Sequence, residues 1–255
     1  MQLWECAWRQ FSQAFVFVLA VAVVATPCAK AAEGRLSLSH LQCQYLQDPL
    51  GVDTPHPQLS WLVQSSRQGV RQTAYQVLVA TSPELLAKDR GDLWDSGRVK
   101  SSDSAHVRYG GSALSSRLRC YWKACVWDES GRRSDWSLPA CWEMGLLKPG
   151  DWQGRWIGSG PPKEPRPAAG FFTSTNQLTE LNQQVKVDGR STLLRKRFVL
   201  RGPVRQARLY VTGLGYYEAS CNGRRVGDRV LAPAKTNYRQ WVLYDTYDLN
   251  YLKPK

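Results

Sequence analysis

The 255-residue sequence predicts an all-β protein of two consecutive sandwiches, the second incomplete. Three observations carry that expectation. Short apolar runs alternate at strand spacing and are separated by Gly, Pro, Asn and Asp clusters. Tryptophan, glycine and proline are frequent, at 11, 20 and 14 residues. Long amphipathic helical patterns are nearly absent, although a hydrophobic share of 43% is ordinary for a chain with a core. The stretch Ala207 to Asp228 shows the logic best. Leu209, Val211, Tyr217, Ala219 and Cys221 alternate with other residues. Asn222-Gly223 stands where a hairpin must turn, because both central residues of a type I′ turn need φ > 0. Gly213 and Gly215 interrupt the pattern as glycines do at a bulge or bend.

In chain order, residues 1–31 read as a secretory leader. Ala14 to Ala25 is an unbroken apolar run, shorter than the roughly 20 residues a spanning helix needs. Ala29-Lys30-Ala31 matches a small-x-small cleavage pattern, so cleavage is expected after Ala31, with an exported mature chain and no membrane span. An uncleaved anchor is the alternative.

Residues 36–147 carry seven expected strands: Leu38 to Tyr45, Leu59 to Val63, Ala74 to Thr81, Leu93 to Val99, His106 to Tyr109, Arg119 to Asp128 and Ala140 to Gly145. That number in about 110 residues is the size of a fibronectin type III-like or immunoglobulin-like sandwich. Tyr75, Val77 and Val79 share one face of the third; Cys120, Trp122, Ala124 and Val126 share one face of the sixth. Ser82-Pro83 offers a Ser N-cap with Pro at the first position of one helical turn. Trp136 is expected either to stack on Arg132 or Arg133, or to be a plain core-edge residue. Residues 148–192 form a linker with a Pro-rich insertion, including one helical turn around Leu178 to Leu181. Residues 193–255 resume the strand pattern at Leu194 to Leu200, Val204 to Thr212, Tyr216 to Cys221, Arg224 to Val230 and Trp241 to Asp248. This is the pattern of the N-terminal part of a jelly-roll or galactose-binding-like sandwich.

The net charge of +13 is unevenly placed: residues 32–147 hold 13 basic and 12 acidic side chains, whereas residues 148–255 hold 19 and 8. The basic residues, Arg195, Lys196, Arg197, Arg201, Arg205, Arg208, Arg224 and Arg225, are scattered along strands rather than gathered in a nucleic-acid module. They read as solvated outer faces, and no nucleic-acid partner is expected. Cys43, Cys120, Cys125, Cys141 and Cys221 remain after the leader. An odd count leaves at least one thiol unpaired. Cys120 and Cys125 fall on opposite faces of one strand, and the set leaves room for one disulfide in an oxidising compartment.

Catalytic patterns are missing. His40, His56 and His106 are scattered, no GxSxG or zinc spacing occurs, and Gly213 to Gly215 precedes no helix. A glycosidase needs two carboxylates, about 6.5–9.5 Å apart if it inverts. Of the acidic candidates Asp53, Asp92, Asp95, Asp128, Asp135, Asp228, Asp245 and Asp248, three (Asp95, Asp128 and Asp228) fall in turns where Asp braces the backbone. No catalytic residue, metal site or cofactor is expected. Tyr216, Tyr217, Tyr238 and Trp241 are the candidate carbohydrate contacts, with core packing as the alternative. Adjacent Tyr216 and Tyr217 must point to opposite faces.

LQCQYLQDPLGVDTPHPQLSW (Leu41 to Trp61), QTAYQVLVATS, LWDSGRVKSSDS, CYWKACVWDESG, WEMGLLKPGDWQGRWIG, LLRKRFVL and the long block from Ala207 to Leu249 are collinear. Together they resemble the N-terminal region of bacterial α-L-rhamnosidases, glycoside hydrolase family 78. Pro233-Ala234-Lys235-Thr236 departs from the family's Pro-Gly-Trp-Thr, and Phe171 to Arg190 exceeds the family link. The resemblance implies an enzyme that removes terminal α-L-rhamnose from a glycoside or polysaccharide with inversion and no redox cofactor. Its (α/α)₆ barrel, which holds the acid and base, has no counterpart in this sequence, so no catalytic position carries over. The chain alone is therefore expected to be inactive. Other readings are a stand-alone carbohydrate-binding or adhesion module and a basic protein that binds acidic polymers.

Overall fold

The computed structural model describes residues 35–158, 191–200 and 202–252. The leader through Ala31 and the helical turn expected at 178–181 lie outside them.

The first unit is an immunoglobulin-like sandwich. Strands β1 (Ser37–Cys43), β3 (Gln58–Gln64) and β6 (Val107–Arg108) form one antiparallel sheet, in the order β1-β3-β6. Strands β2 (Leu50–Val52), β8 (Ala140–Met144), β7 (Arg119–Asp128), β4 (Gln72–Ala80) and β5 (Trp94–Asp95) form the other, in the order β2-β8-β7-β4-β5. The facing sides enclose Leu59, Trp61, Val77, Val79, Tyr109, Cys120, Trp122, Ala124, Val126 and Trp142. Alternation puts them there: in β7 the core takes Cys120, Trp122, Ala124 and Val126, as the pleat requires. Two of the buried aromatics find partners for their polar ends inside. Trp61 Nε1 donates to Gln72 Oε1 (3.1 Å), and Tyr109 OH donates to the Ser112 carbonyl (2.8 Å).

The other face of β7 is also covered. Helix α1 (Pro83–Ala87) is capped by Ser82, whose hydroxyl accepts from Leu85 N–H (3.4 Å). Lys123 Nζ reaches from β7 to the Leu86 carbonyl at its C-terminal end (2.5 Å) and pairs with Asp89. Beyond it runs a ladder of cations and indoles. Lys123 and Arg133 lie 4.8 and 4.5 Å from the centre of the Trp136 ring, and Arg133 and Arg98 lie 5.8 and 4.9 Å from that of Trp127. Of the two arginines expected near Trp136, Arg133 stacks there, while Arg132 turns to Asp128 (3.0 Å). Hydrogen bonds from Ser130 and Arg132 hold the Asp128 carboxyl down at about 2.

The second unit has two short ladders. β9 (Arg208–Val211) pairs antiparallel with β12 (Asp245–Asp248). β10 (Ser220–Cys221) and β11 (Arg224–Arg225) form the Asn222-Gly223 hairpin, whose φ values of 51° and 77° are those of the expected type I′ turn. Several expectations shorten or fail. The run Leu194 to Leu200 forms no strand and is exposed, since a strand exists only where a neighbour completes its hydrogen bonds. Val204 to Thr212 and Trp241 to Asp248 contract to the four residues each that face one another. The five described cysteines are all unbridged.

Candidate functional site

The four aromatic candidates separate by environment. Tyr217 turns inward and donates its OH to Asp245 Oδ2 (2.7 Å), with Tyr247 OH at 3.2 Å. Burial, reinforced by those two hydrogen bonds, pushes its phenol far above the ordinary tyrosine range. Asp245 also pairs with Arg229. This carboxylate is a node that ties β12 to the loop after β11. Tyr216, in the stretch before β10 that forms no strand, is 61% exposed, and Trp241 is 58% exposed. Tyr238 is partly exposed, and its OH accepts from Gly215 N–H (3.2 Å). Among the described residues no ring pair involves Tyr216, Tyr238 or Trp241. They stand as separate surface aromatics on the second unit.

The most developed polar constellation lies where the two units meet, and sequence reasoning missed it. Glu143 on β8 is 1% exposed, and Arg208 on β9 is 6% exposed. Arg208 Nε donates to Glu143 Oε1 (2.7 Å) and Nη2 to Oε2 (2.8 Å), a fork-to-fork geometry that only Arg can make. Gln206 Nε2 donates to the same carboxylate (2.9 Å), and Arg208 Nη1 reaches Asp248 (2.8 Å). The sequence pattern places Arg208 on a solvated face; alternation gives the face of a strand but not which face another domain covers. A carboxylate inside the apolar run of β8, Ala140-Cys141-Trp142-Glu143-Met144, was the available signal.

Around this pair the contact is close. Leu146 N–H donates to Tyr244 OH (2.8 Å), Tyr244 lies against Trp152 (5.7 Å) and Tyr210 (6.1 Å), and Arg117 stacks on Tyr210 (5.7 Å). Gly145 is required by this approach: a Cβ there would stand 2.5 Å from Tyr244 OH and 3.0 Å from the Gly51 carbonyl oxygen. The arrangement positions one domain on another. Two other acidic candidates hold backbone amides. Asp92 accepts from Thr81 N–H (2.8 Å), and Asp95 accepts from Gly97 N–H (2.9 Å) in its turn. No grouping of metal-ligating side chains occurs among the described residues, and no described helix is long and apolar enough to cross a membrane.

Fold and interface thus define a multidomain β-region in which an immunoglobulin-like sandwich carries a second β-unit on its edge. Residues 38–148 match the family model described as the Rha78A-like, N-terminal immunoglobulin domain, and residues 202–253 match that of the α-L-rhamnosidase N-terminal domain. An α-L-rhamnosidase of Formosa agariphila is 36% identical over 204 residues, 79% of this chain and 21% of the relative. One of Streptomyces avermitilis is 34% identical over 205 residues, 80% of this chain and 20% of the relative. The solved α-L-rhamnosidase from Dictyoglumus thermophilum superposes with a TM-score of 0.69 at 31% identity, over 84% of this chain and 23% of that one. That of Aspergillus terreus gives 0.65 at 28%, over 87% and 23%. The chain is homologous to the N-terminal region of the α-L-rhamnosidases, which are glycoside hydrolases. It spans about a fifth of the length of the relatives it matches.

Proposed function

We propose that this chain is the exported, non-catalytic N-terminal β-region of an enzyme that hydrolyses terminal α-L-rhamnosides with inversion. The observation that carries the reading is the collinear match of both β-units to α-L-rhamnosidase N-terminal domains, joined by a buried interface suited to one rigid platform. The domain division follows the sequence: leader to Ala31, a fibronectin type III-like sandwich over 36–147, a linker over 148–192 and a jelly-roll portion from 193 onward. In this reading the platform packs beside the catalytic domain and shapes its cleft for rhamnose-containing glycosides. A second reading, a carbohydrate-binding module acting alone, is favoured by the exposed Tyr216, Tyr238 and Trp241, whose faces suit the C–H side of a sugar.

A chimera tests the proposal: residues 36–252 replace the N-terminal β-domains of a family α-L-rhamnosidase. Retained hydrolysis of an aryl α-L-rhamnoside is expected. A folded chimera without hydrolysis contradicts the platform role.

A further inference from the structure

The sheet β1-β3-β6 carries a feature that the domain interface does not use. After Cys43 the chain reverses through two residues, Gln44 and Tyr45. Cys43 N–H donates to the Leu46 carbonyl (2.9 Å), and Leu46 N–H donates to that of Cys43 (3.0 Å). Gln44 and Tyr45 have φ of 50° and 64°, the left-handed pair that such turns normally assign to Asn-Gly. His106, preceding β6, has φ 59°. Left-handed backbone is uncommon for any non-glycine residue and an outlier for a bulky one, yet three such residues converge here.

Their side chains meet over Gln58. Tyr45 OH donates to Gln58 Oε1 (3.3 Å) and lies 3.2 Å from His106 Nδ1, which is 3.0 Å from Gln58 Oε1. Gln44 Oε1 accepts from Gln58 N–H (2.9 Å). The Tyr45 and His106 rings stand edge to face at 5.6 Å. Despite this network Tyr45 remains 63% exposed, with Leu46 beside it also exposed. Backbone strain held by its surroundings, around an exposed aromatic ring, is characteristic of ligand clamps.

We infer that Tyr45, Gln58 and His106 form a binding site for a neutral pyranose ring, separate from the surface aromatics of the second unit. Tyr45 supplies a flat apolar face for the C–H side of the sugar. Gln58 Nε2 and His106 Nε2, which make no hydrogen bond to the described residues, supply donor and acceptor positions for hydroxyls. Gln42 and Ser60, in register with each other beside them, extend a neutral polar surface, because their neighbours Leu41, Cys43, Leu59 and Trp61 face the core. The cluster holds no carboxylate, which argues against a cation. One arginine, Arg108 opposite Gln58, is too little for a polyanion groove.

The test titrates the ¹⁵N-labelled chain with methyl α-L-rhamnopyranoside, methyl α-D-glucopyranoside and glucuronate, following amide shifts. Saturable millimolar shifts at Gln44, Tyr45, Leu46, Gln58 and His106 with a neutral sugar are expected. Tyr45→Gly should weaken binding about tenfold or more through loss of the stacking face. The same substitution should leave the first sandwich folded, because glycine adopts the left-handed turn without steric strain. Tyr216→Ala should leave the shifts at this cluster unchanged. Absence of shifts there with both neutral sugars, a response to glucuronate alone, or undiminished binding by Tyr45→Gly would each overturn the assignment. The outcome is independent of the rhamnosidase reading, since direct binding to the first unit is measured.

Discussion

Replacing Arg208 by Leu removes the guanidinium from Glu143 without opening a large cavity. Glu143, 1% exposed, then loses two charge-assisted bonds of 2.7 and 2.8 Å and keeps only the Gln206 contact at 2.9 Å. Stranding one partner of a buried pair costs about 3–5 kcal/mol. The surviving Gln206 bond offsets about 1 kcal/mol of that. A net loss of about 3 kcal/mol lowers the docked population about a hundredfold. The loss should be local. β9 and β12 form a two-stranded ladder, which is marginal without packing, whereas β4 and β7 lie within the first sandwich's own core. Native-state hydrogen exchange separates the two: amides of residues 208–211 and 245–248 should exchange about a hundredfold faster, with those of β4 and β7 unchanged. The double variant Glu143→Leu/Arg208→Leu should regain most of the protection, because no charge is left buried alone. An effect below about 1 kcal/mol, the range of an exposed pair, would contradict a buried, coupled pair. So would equal acceleration in both units.

Three further outcomes follow from the same contacts. Arg133→Ala empties the middle rung between Trp127 and Trp136 and should cost about 1–2 kcal/mol in urea unfolding with an unchanged slope. Gly145→Ala drives a methyl into Tyr244 OH and should cost about 1–3 kcal/mol, less when combined with Tyr244→Phe, again read by exchange in the second unit. The Asp128 carboxyl sits at about 2 in the folded chain against an ordinary 3.8. Its contribution to stability is therefore present above about pH 4 and is lost as pH falls towards 2. A melting-temperature profile should show a shallower acid limb over that window in Asp128→Asn.

Elements whose cause is local were legible in the sequence. β7 runs over the expected Arg119–Asp128, the Ser82 cap is in place, and the Asn222-Gly223 turn has the φ values its residues favour. Elements decided by distant partners were not. β2 is three residues long and pairs in parallel with β8, nearly a hundred residues away, so no alternation could announce it. Leu194 to Leu200 has strand composition but no neighbour. Glu143 stood out as a carboxylate in an apolar strand, but its partner Arg208 did not, because the fork geometry joins two domains. The Tyr45 turn was hidden for the opposite reason: Gln-Tyr disfavours the conformation that tertiary contacts hold it in. Tyr217, expected as a sugar contact, instead gives its hydroxyl to Asp245, a partner 28 residues away that no local pattern announces.

Hydrolysis of an aryl α-L-rhamnoside by the purified chain tests the proposed platform role. The proposed role predicts no release of the aryl alcohol above the uncatalysed rate, at any pH, from a chain shown to be folded by its exchange-protected β4 and β7. Reproducible turnover that co-purifies with the chain would contradict it.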